Sequence, residues 1–357
     1  MERPHLSGEE SVIGMRRLRR AFSPSGGVSF PRRVEIAFIT NGGERLTHLY
    51  PNDCYYAHLS IYHFAVPLVC GRRVLDAGSG TGYGAAYLAT HGAHMVYGVE
   101  VDPEAVAFSQ RKFTSPNLDF QCLDLQKLTG FPAHSIDVVL SSNVLEHVPD
   151  VPAFLHAAWQ VLTVDGVLVV AVPPITDAAS RAHDFDNPYH LTSWSIRQWH
   201  DALGLFFAEV QYYRHFCGRP EIELDFANKP AQTVLRETDF AFEPLDLGAA
   251  LRVPSLTAVF VARRPRSQAE LPARDMPFPV VDDSFTRPAP PHVGRPGTAA
   301  VLRWLRRVRR GAAPPDSRRE IAWFLVFRAA QIWHQRGPGT LLRKAATTAR
   351  KQWAHRS

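Results

Sequence analysis

Through the middle of the chain, short β-branched runs alternate with stretches of helix length. RRVLDAG, HMVYGVEVD, LDFQCLD, IDVVLSSN and GVLVVAVPP read as strands, and GAAYLATHG, PEAVAFSQRKF and VPAFLHAAWQVLT, which fall between them, read as helices. A strand buried on both faces loses the in–out alternation of a half-buried one and becomes a continuous apolar run. Repeated alternation of such runs with helices therefore predicts an α/β fold, Rossmann-like and doubly wound, with helices on both faces of a mostly parallel sheet. Upstream, NDCYYAHLSIYHFAVPLV predicts a helix that starts from Asn52 as N-cap and places Tyr55, Leu59, Tyr62 and Val66 on one face. Downstream, SIRQWHDALGLF predicts a further helix, 208–216 a strand and 256–264 a closing strand, with 218–255 left as an insertion of loops and short elements.

These patterns divide the chain into an N-terminal extension (1–51), an α/β domain (52–264), a linker (265–297) and a tail (298–357). Eight prolines without periodicity mark the linker. The tail segments TAAVLRWLRRVRR, SRREIAWFLVFRAAQIWHQR and GTLLRKAATTARKQW predict three basic helices, so the chain is expected to end in a C-terminal basic helical appendage. Ser317 and Glu320 have the spacing of a capping box at the start of the second.

Composition changes the picture in one respect. With 45% hydrophobic and 21% charged residues, the 357-residue chain has the makings of a folded protein, not a disordered one. Its net charge of +6 invites a polyanionic partner. That charge is unevenly placed: residues 301–357 hold fourteen basic against two acidic residues, net +12, and leave residues 1–300 at net −6. An acidic body without a recognition motif argues against nucleic acid. Tryptophans interleaved with arginines in the tail suit an anionic membrane surface, or equally a small bundle packed on the body. Four cysteines far apart, with no C-x-x-C pair, suggest neither zinc nor a disulfide framework and fit a reducing, cytoplasmic setting. No apolar run approaches the roughly 18–20 residues that cross a bilayer, so any membrane association is expected to be peripheral.

Candidate chemistry concentrates in VLDAGSGTGYG, residues 74–84. Here a strand ends in Asp76 and runs through Gly78, Ser79, Gly80 and Gly82 into a helix beginning near Tyr83. Glycines at such a turn let a ligand approach the backbone, and the helix start offers unpaired N–H groups. Glu100 closes the second strand 24 residues after Asp76, where a carboxylate accepts hydrogen bonds from ribose hydroxyls. Asp124 follows after another 24, and the fourth strand ends in Ser141, Ser142 and Asn143 before Glu146-His147. All lie at the strand ends where open α/β sheets bind ligands.

With these residues in place, the chain resembles a class I S-adenosylmethionine-dependent methyltransferase, type 11-like, of the branch with small-molecule, lipid and glycan substrates. D-A-G-S-G-T-G matches that family's D-x-G-x-G-x-G without a gap, whereas nicotinamide enzymes usually show G-x-G-x-x-G. The resemblance covers roughly residues 52–264 and implies a seven-stranded sheet, six strands parallel and one antiparallel. It implies S-adenosyl-L-methionine as cofactor, held by Asp76, Gly78, Ser79, Gly80, Gly82, Tyr83, Glu100, Val101, Asp124, Leu125 and Asn143.

Methyl transfer from a sulfonium to a hydroxyl asks the protein to align the nucleophile and take a proton. His190, in the loop DNPYHLTSW, and His147, directly after the fourth strand, are the expected catalytic residues. Asp184, Asp186 and Glu146 show no recognised ligand spacing, so no metal is expected. The aromatic loop around His190 suits the hydroxyl of a sugar, polysaccharide or glycolipid. A phenolic or lipid-quinone acceptor is the alternative, and a silent cofactor-binding scaffold acting through its tail is an alternative of another class.

Overall fold

The structure, a computed structural model, describes residues 45–271 apart from Asp186 and Pro188. The expected basic tail, the linker beyond Leu271 and residues 1–44 of the N-terminal extension lie outside the described residues.

In chain order the elements are α1 (Asp53–Val69), β1 (Arg73–Ala77), α2 (Tyr83–Thr90), β2 (Met95–Glu100), α3 (Pro103–Lys112), β3 (Leu118–Cys122) and β4 (Ile136–Ser142). They continue with α4 (Val151–Val161), β5 (Leu162–Val172), α5 (Ala178–Phe185), α6 (Ile196–Gly204), β6 (Phe207–Cys217), β7 (Phe240–Leu245), α7 (Leu247–Ala250) and β8 (Ala258–Pro265). The strands form one sheet in the order β3-β2-β1-β4-β5-β8-β6-β7. β1 to β5 pair in parallel, while β8 runs antiparallel to both β5 and β6, so six strands share one direction as expected.

The expected count of seven strands is corrected to eight. β7 comes from the segment expected to hold loops and adds antiparallel to the outer edge of β6. Its sequence, FAFEPL, interrupts the apolar pattern with Glu243 and Pro244, and a proline is tolerated on an edge strand because one side of the ladder is unpaired. Phe242 anchors it by stacking on Phe64 of α1 at 4.4 Å and on His215 of β6 at 4.8 Å.

Core packing explains why the central strands are legible as continuous apolar runs. In β5, Leu168, Val170 and Val172 join the layer beneath α4 and α6, while Val167, Val169 and Ala171 join the layer beneath α1 and α2. Phe154, Leu155 and Trp199 fill the first layer, and Ile61, Tyr62, Ala65 and Leu88 fill the second. Helices α1 and α6 both begin with side-chain caps. Asn52 accepts a hydrogen bond from the Tyr55 amide, and Ser195 forms a full capping box with Gln198 at the start of α6. Cys122, the last residue of β3, is exposed.

Candidate functional site

The turn after β1 builds the floor of the site. Gly78 and Ser79 both donate their amides to the carbonyl of Val99 on β2, which locks the turn against the neighbouring strand. Gly78, Gly80 and Gly82 all have positive φ. Gly82 is the left-handed N-cap of α2, and a Cβ there would lie 2.6 Å from Ser109 Oγ and 2.8 Å from Phe120 Cζ. Gly82→Ala should therefore destabilise the fold by about 3 kcal/mol, combining the left-handed penalty with overpacking. A lowered urea midpoint with an unchanged m value would show it. Gly80 differs: the nearest atom to its missing Cβ is 3.9 Å away, so this face of the turn is open.

Two carboxylates flank the turn in unlike states. Asp76, next to last in β1, is fully buried, and burial pushes its carboxyl up to about 7. Tyr62 Oη donates to its Oδ1 at 3.2 Å. Oδ2 has no hydrogen-bond partner, although the nearby Ala85 amide tempers the upward shift. Glu100, the last residue of β2, is instead well bonded. Its oxygens accept from the amides of Gly80 (3.1 Å), Val101 (3.0 Å) and Asp102 (3.0 Å) and from Arg45 (3.3 Å). Arg45 also pairs with Asp102 at 2.7 Å, and Thr81 Oγ1 donates to the Leu46 carbonyl, so the segment before α1 is fastened over the turn. Three of the Glu100 contacts fall on Oε1 and only the Gly80 amide on Oε2, so Oε2 keeps acceptor capacity for a ribose hydroxyl.

Further along the strand ends, Val101 is 65% exposed beside Glu100, an apolar side chain open to solvent at the ligand-binding edge. Leu125 is buried, and Asp124 lies two residues beyond β3, where hydrogen bonds from Gln126 hold its carboxyl below the usual range. Asn143, just past β4, adopts φ 53, a conformation asparagine tolerates better than most residues. Its side chain approaches His58 Nδ1 at 3.4 Å, while the next residue, Val144, fills the space beneath Gly78. Tyr83 heads α2 within an aromatic group, 4.9 Å from Tyr55 and 5.8 Å from Tyr62.

The two expected catalytic histidines come together although 43 positions separate them in the sequence. Their rings lie edge to face at 4.9 Å. The Glu146 carbonyl accepts from the Leu191 and Thr192 amides at 2.6 and 3.0 Å, which ties the loop after β4 to the loop before α6. His190 Nδ1 contacts Asp184 Oδ1 at 2.5 Å, and Ser193 Oγ donates to the other oxygen of the same carboxylate. His147 Nδ1 donates to the Tyr189 carbonyl at 3.0 Å, and burial lowers its pKa to about 4, so the ring is neutral. Each Nδ1 faces an acceptor, which favours the tautomer with the proton on Nδ1. One ring nitrogen of each histidine and a Glu146 oxygen lie within 4.8 Å of one another, a grouping absent from the sequence reading, which tested Glu146 only with Asp184 and Asp186. Arg45 and the pairing role of Asp184 were likewise missed. The first touches partners 55 and 57 positions away, and the second is an ordinary acid on α5 until the loop folds back over it.

The site fits the expected cofactor. A buried carboxylate oxygen without a hydrogen-bond partner suits an ammonium group, the open face of Gly80 would let a ligand approach the backbone, and exposed Val101 would give it an apolar wall. Sheet order, glycine turn and strand-end carboxylates together define a class I S-adenosylmethionine-dependent methyltransferase domain, whose class uses S-adenosylmethionine as cofactor.

Residues 75–170 match the family described as "Methyltransferase domain". A ubiquinone biosynthesis O-methyltransferase of Neisseria meningitidis is 31% identical over 103 residues, 28% of this chain and 43% of that protein. A probable S-adenosylmethionine-dependent methyltransferase of Mycolicibacterium smegmatis is 34% identical over 134 residues, 37% of this chain and 50% of the other. A probable phthiotriol/phenolphthiotriol dimycocerosates methyltransferase of Mycobacterium ulcerans is 32% identical over 133 residues, 36% of this chain and 50% of its own length. The chain thus spans half or less of the length of these relatives.

Proposed function

We propose that the protein is an S-adenosylmethionine-dependent methyltransferase acting on the hydroxyl of a small-molecule or lipid-borne acceptor, with a phenol or quinol as the favoured class. The observation that carries this reading is the histidine pair at the strand ends, with His190 held on Asp184 at 2.5 Å. A buried carboxylate on Nδ1 fixes the tautomer that leaves Nε2 as proton acceptor and stabilises the imidazolium that forms. In the reaction the S–CH3 bond breaks with its electron pair passing to sulfur, an acceptor oxygen lone pair forms the O–CH3 bond, and the hydroxyl proton passes to His190. His147, kept neutral by burial, lines the same place.

Two relatives whose names carry an acceptor support the phenol or lipid class, one named for ubiquinone biosynthesis and one for phthiotriol lipids. The sugar expectation rests on the aromatic residues of the His190 loop, Tyr189 and Trp194. The full chain, incubated with methyl-labelled S-adenosylmethionine and parallel panels of catechols, lipid-tailed phenols and glycosides, tests the reading. Label recovered as a methyl ether on a phenol supports it. Label on glycosides alone moves the acceptor class to sugars, and cofactor binding without transfer to any panel favours a silent scaffold.

The net +12 of residues 301–357 supports a second element of this reading, recruitment to an anionic bilayer where lipid-borne acceptors reside. No helix among the described residues is long and apolar enough to cross a membrane. The full chain should sediment with vesicles containing phosphatidylserine and be released by raised salt, whereas a chain ending at Leu271 should stay in the supernatant. Equal sedimentation of the two would remove the tail from the proposal.

A further inference from the structure

We propose that Glu146, His147 and His190 form a binding site for a divalent first-row transition ion, of the zinc, cobalt or manganese type, beside the acceptor hydroxyl. The inference rests on the reading of this place as the acceptor site. It begins from the convergence of three donors, two imidazole nitrogens and a carboxylate oxygen, within 4.8 Å. Bonds of about 2.0–2.2 Å to such an ion need donors roughly 3–3.5 Å apart, so the most widely spaced donors must draw in by up to roughly 1.5 Å.

Two features separate this group from a chance cluster. Metal-bound histidines usually give their second ring N–H to a carboxylate or a backbone carbonyl, which fixes the ring and raises its basicity. Both histidines already do so here, His190 to Asp184 at 2.5 Å and His147 to the Tyr189 carbonyl at 3.0 Å. The second feature is rigidity. Glu146 is 2% exposed, and its own carbonyl holds the amides of Leu191 and Thr192, so the segment that carries two ligands is bonded to the segment that carries the third. Two neutral nitrogens and one carboxylate suit a first-row ion better than magnesium or calcium, which favour all-oxygen sets. Three protein ligands also leave a coordination position open for the acceptor oxygen.

An ion there would bind the acceptor hydroxyl and favour its deprotonated form. The O–H proton then passes to solvent, because the His190 lone pair is given to the ion. Transfer is otherwise unchanged: the oxygen takes the methyl group and sulfur keeps the bond's electron pair. Ion and proton compete for the same nitrogen, so the protein would use His190 as base when free of metal and as ligand when loaded.

The test uses the full chain, stripped with a chelator and titrated with Co(II) and Zn(II). The expected result is one equivalent bound with the visible absorption bands of Co(II) in a nitrogen and oxygen site, and calorimetric binding of S-adenosylmethionine unchanged by the ion. His147→Gln and Glu146→Gln should each weaken Co(II) binding at least tenfold. Asp184→Asn leaves all three ligands in place and should weaken it about 10–100-fold through loss of ring orientation, which covers the case in which a ligand variant fails to fold. Absence of stoichiometric binding, or binding indifferent to all three substitutions, overturns the site. Methyl transfer that survives chelation, with no Co(II) spectrum, overturns the metal and leaves the transferase standing. A Co(II) spectrum sensitive to the variants, in a protein that transfers methyl to nothing, supports the metal site while the acceptor reading falls.

Discussion

Asp76→Asn should weaken S-adenosylmethionine binding by two to three orders of magnitude while making the cofactor-free protein more stable at pH 8. The two effects share one cause. Asp76 is a fully buried carboxyl with a single hydrogen bond from Tyr62, and burial raises its pKa from 3.8 to about 7. Below pH 3.8 the group is protonated in folded and unfolded chains alike and costs nothing. As pH rises from there, the unfolded chain ionises first, and stability is lost until the folded group also ionises near pH 7. The full loss is about 4 kcal/mol, from roughly three units at 1.36 kcal/mol each. Asparagine removes it, so the variant should melt above the wild type at pH 8 and match it near pH 4. With cofactor the order reverses. The ammonium of S-adenosylmethionine is a cation that also donates hydrogen bonds and so suits a buried anionic oxygen, and losing one member of such a pair costs about 3–4 kcal/mol. Calorimetry at pH 8 checks the affinity, and melts of both proteins at the two pH values check the sign. A variant that binds cofactor normally would place Asp76 in the fold and not in the site.

What could be read beforehand follows from how local the physics is. The parallel strands were legible because both faces of β4 and β5 are buried, which leaves no polar position to break the run. The glycine turn was legible because left-handed backbone at Gly78, Gly80 and Gly82 is written directly in residue type. β7 was not, because an edge strand held by Phe242 against α1 and β6 owes its existence to contacts far along the chain. The candidate site divides in the same way. His147 and His190 were chosen from sixteen histidines by position relative to the strand ends. Their Asp184 and Tyr189 partners, and the crossing of Arg45 to Glu100, depend on loop closure that no periodicity records.

His190→Ala should reduce turnover on the acceptor by about two to four orders of magnitude, the usual contribution of a positioned general base, with cofactor affinity within twofold of wild type. The split matters because a loop histidine serving only as a structural tie would move both. His190 is attached to the fold through Asp184, whose carboxylate also receives Ser193, so the loop keeps one of its two anchors when the imidazole is removed. Its neighbours Leu191 and Thr192 remain bonded to the Glu146 carbonyl. The space left behind is imidazole-sized, and the His190 side chain is 13% exposed. Free imidazole in the assay should then restore part of the lost turnover, which repair of a merely structural defect would not do. Asp184→Asn should fall between the two proteins, since an amide preserves the shape of the contact but not the negative charge that stabilises the imidazolium. Full activity in His190→Ala would move the base role to His147, whose ring lies 4.9 Å from that of His190.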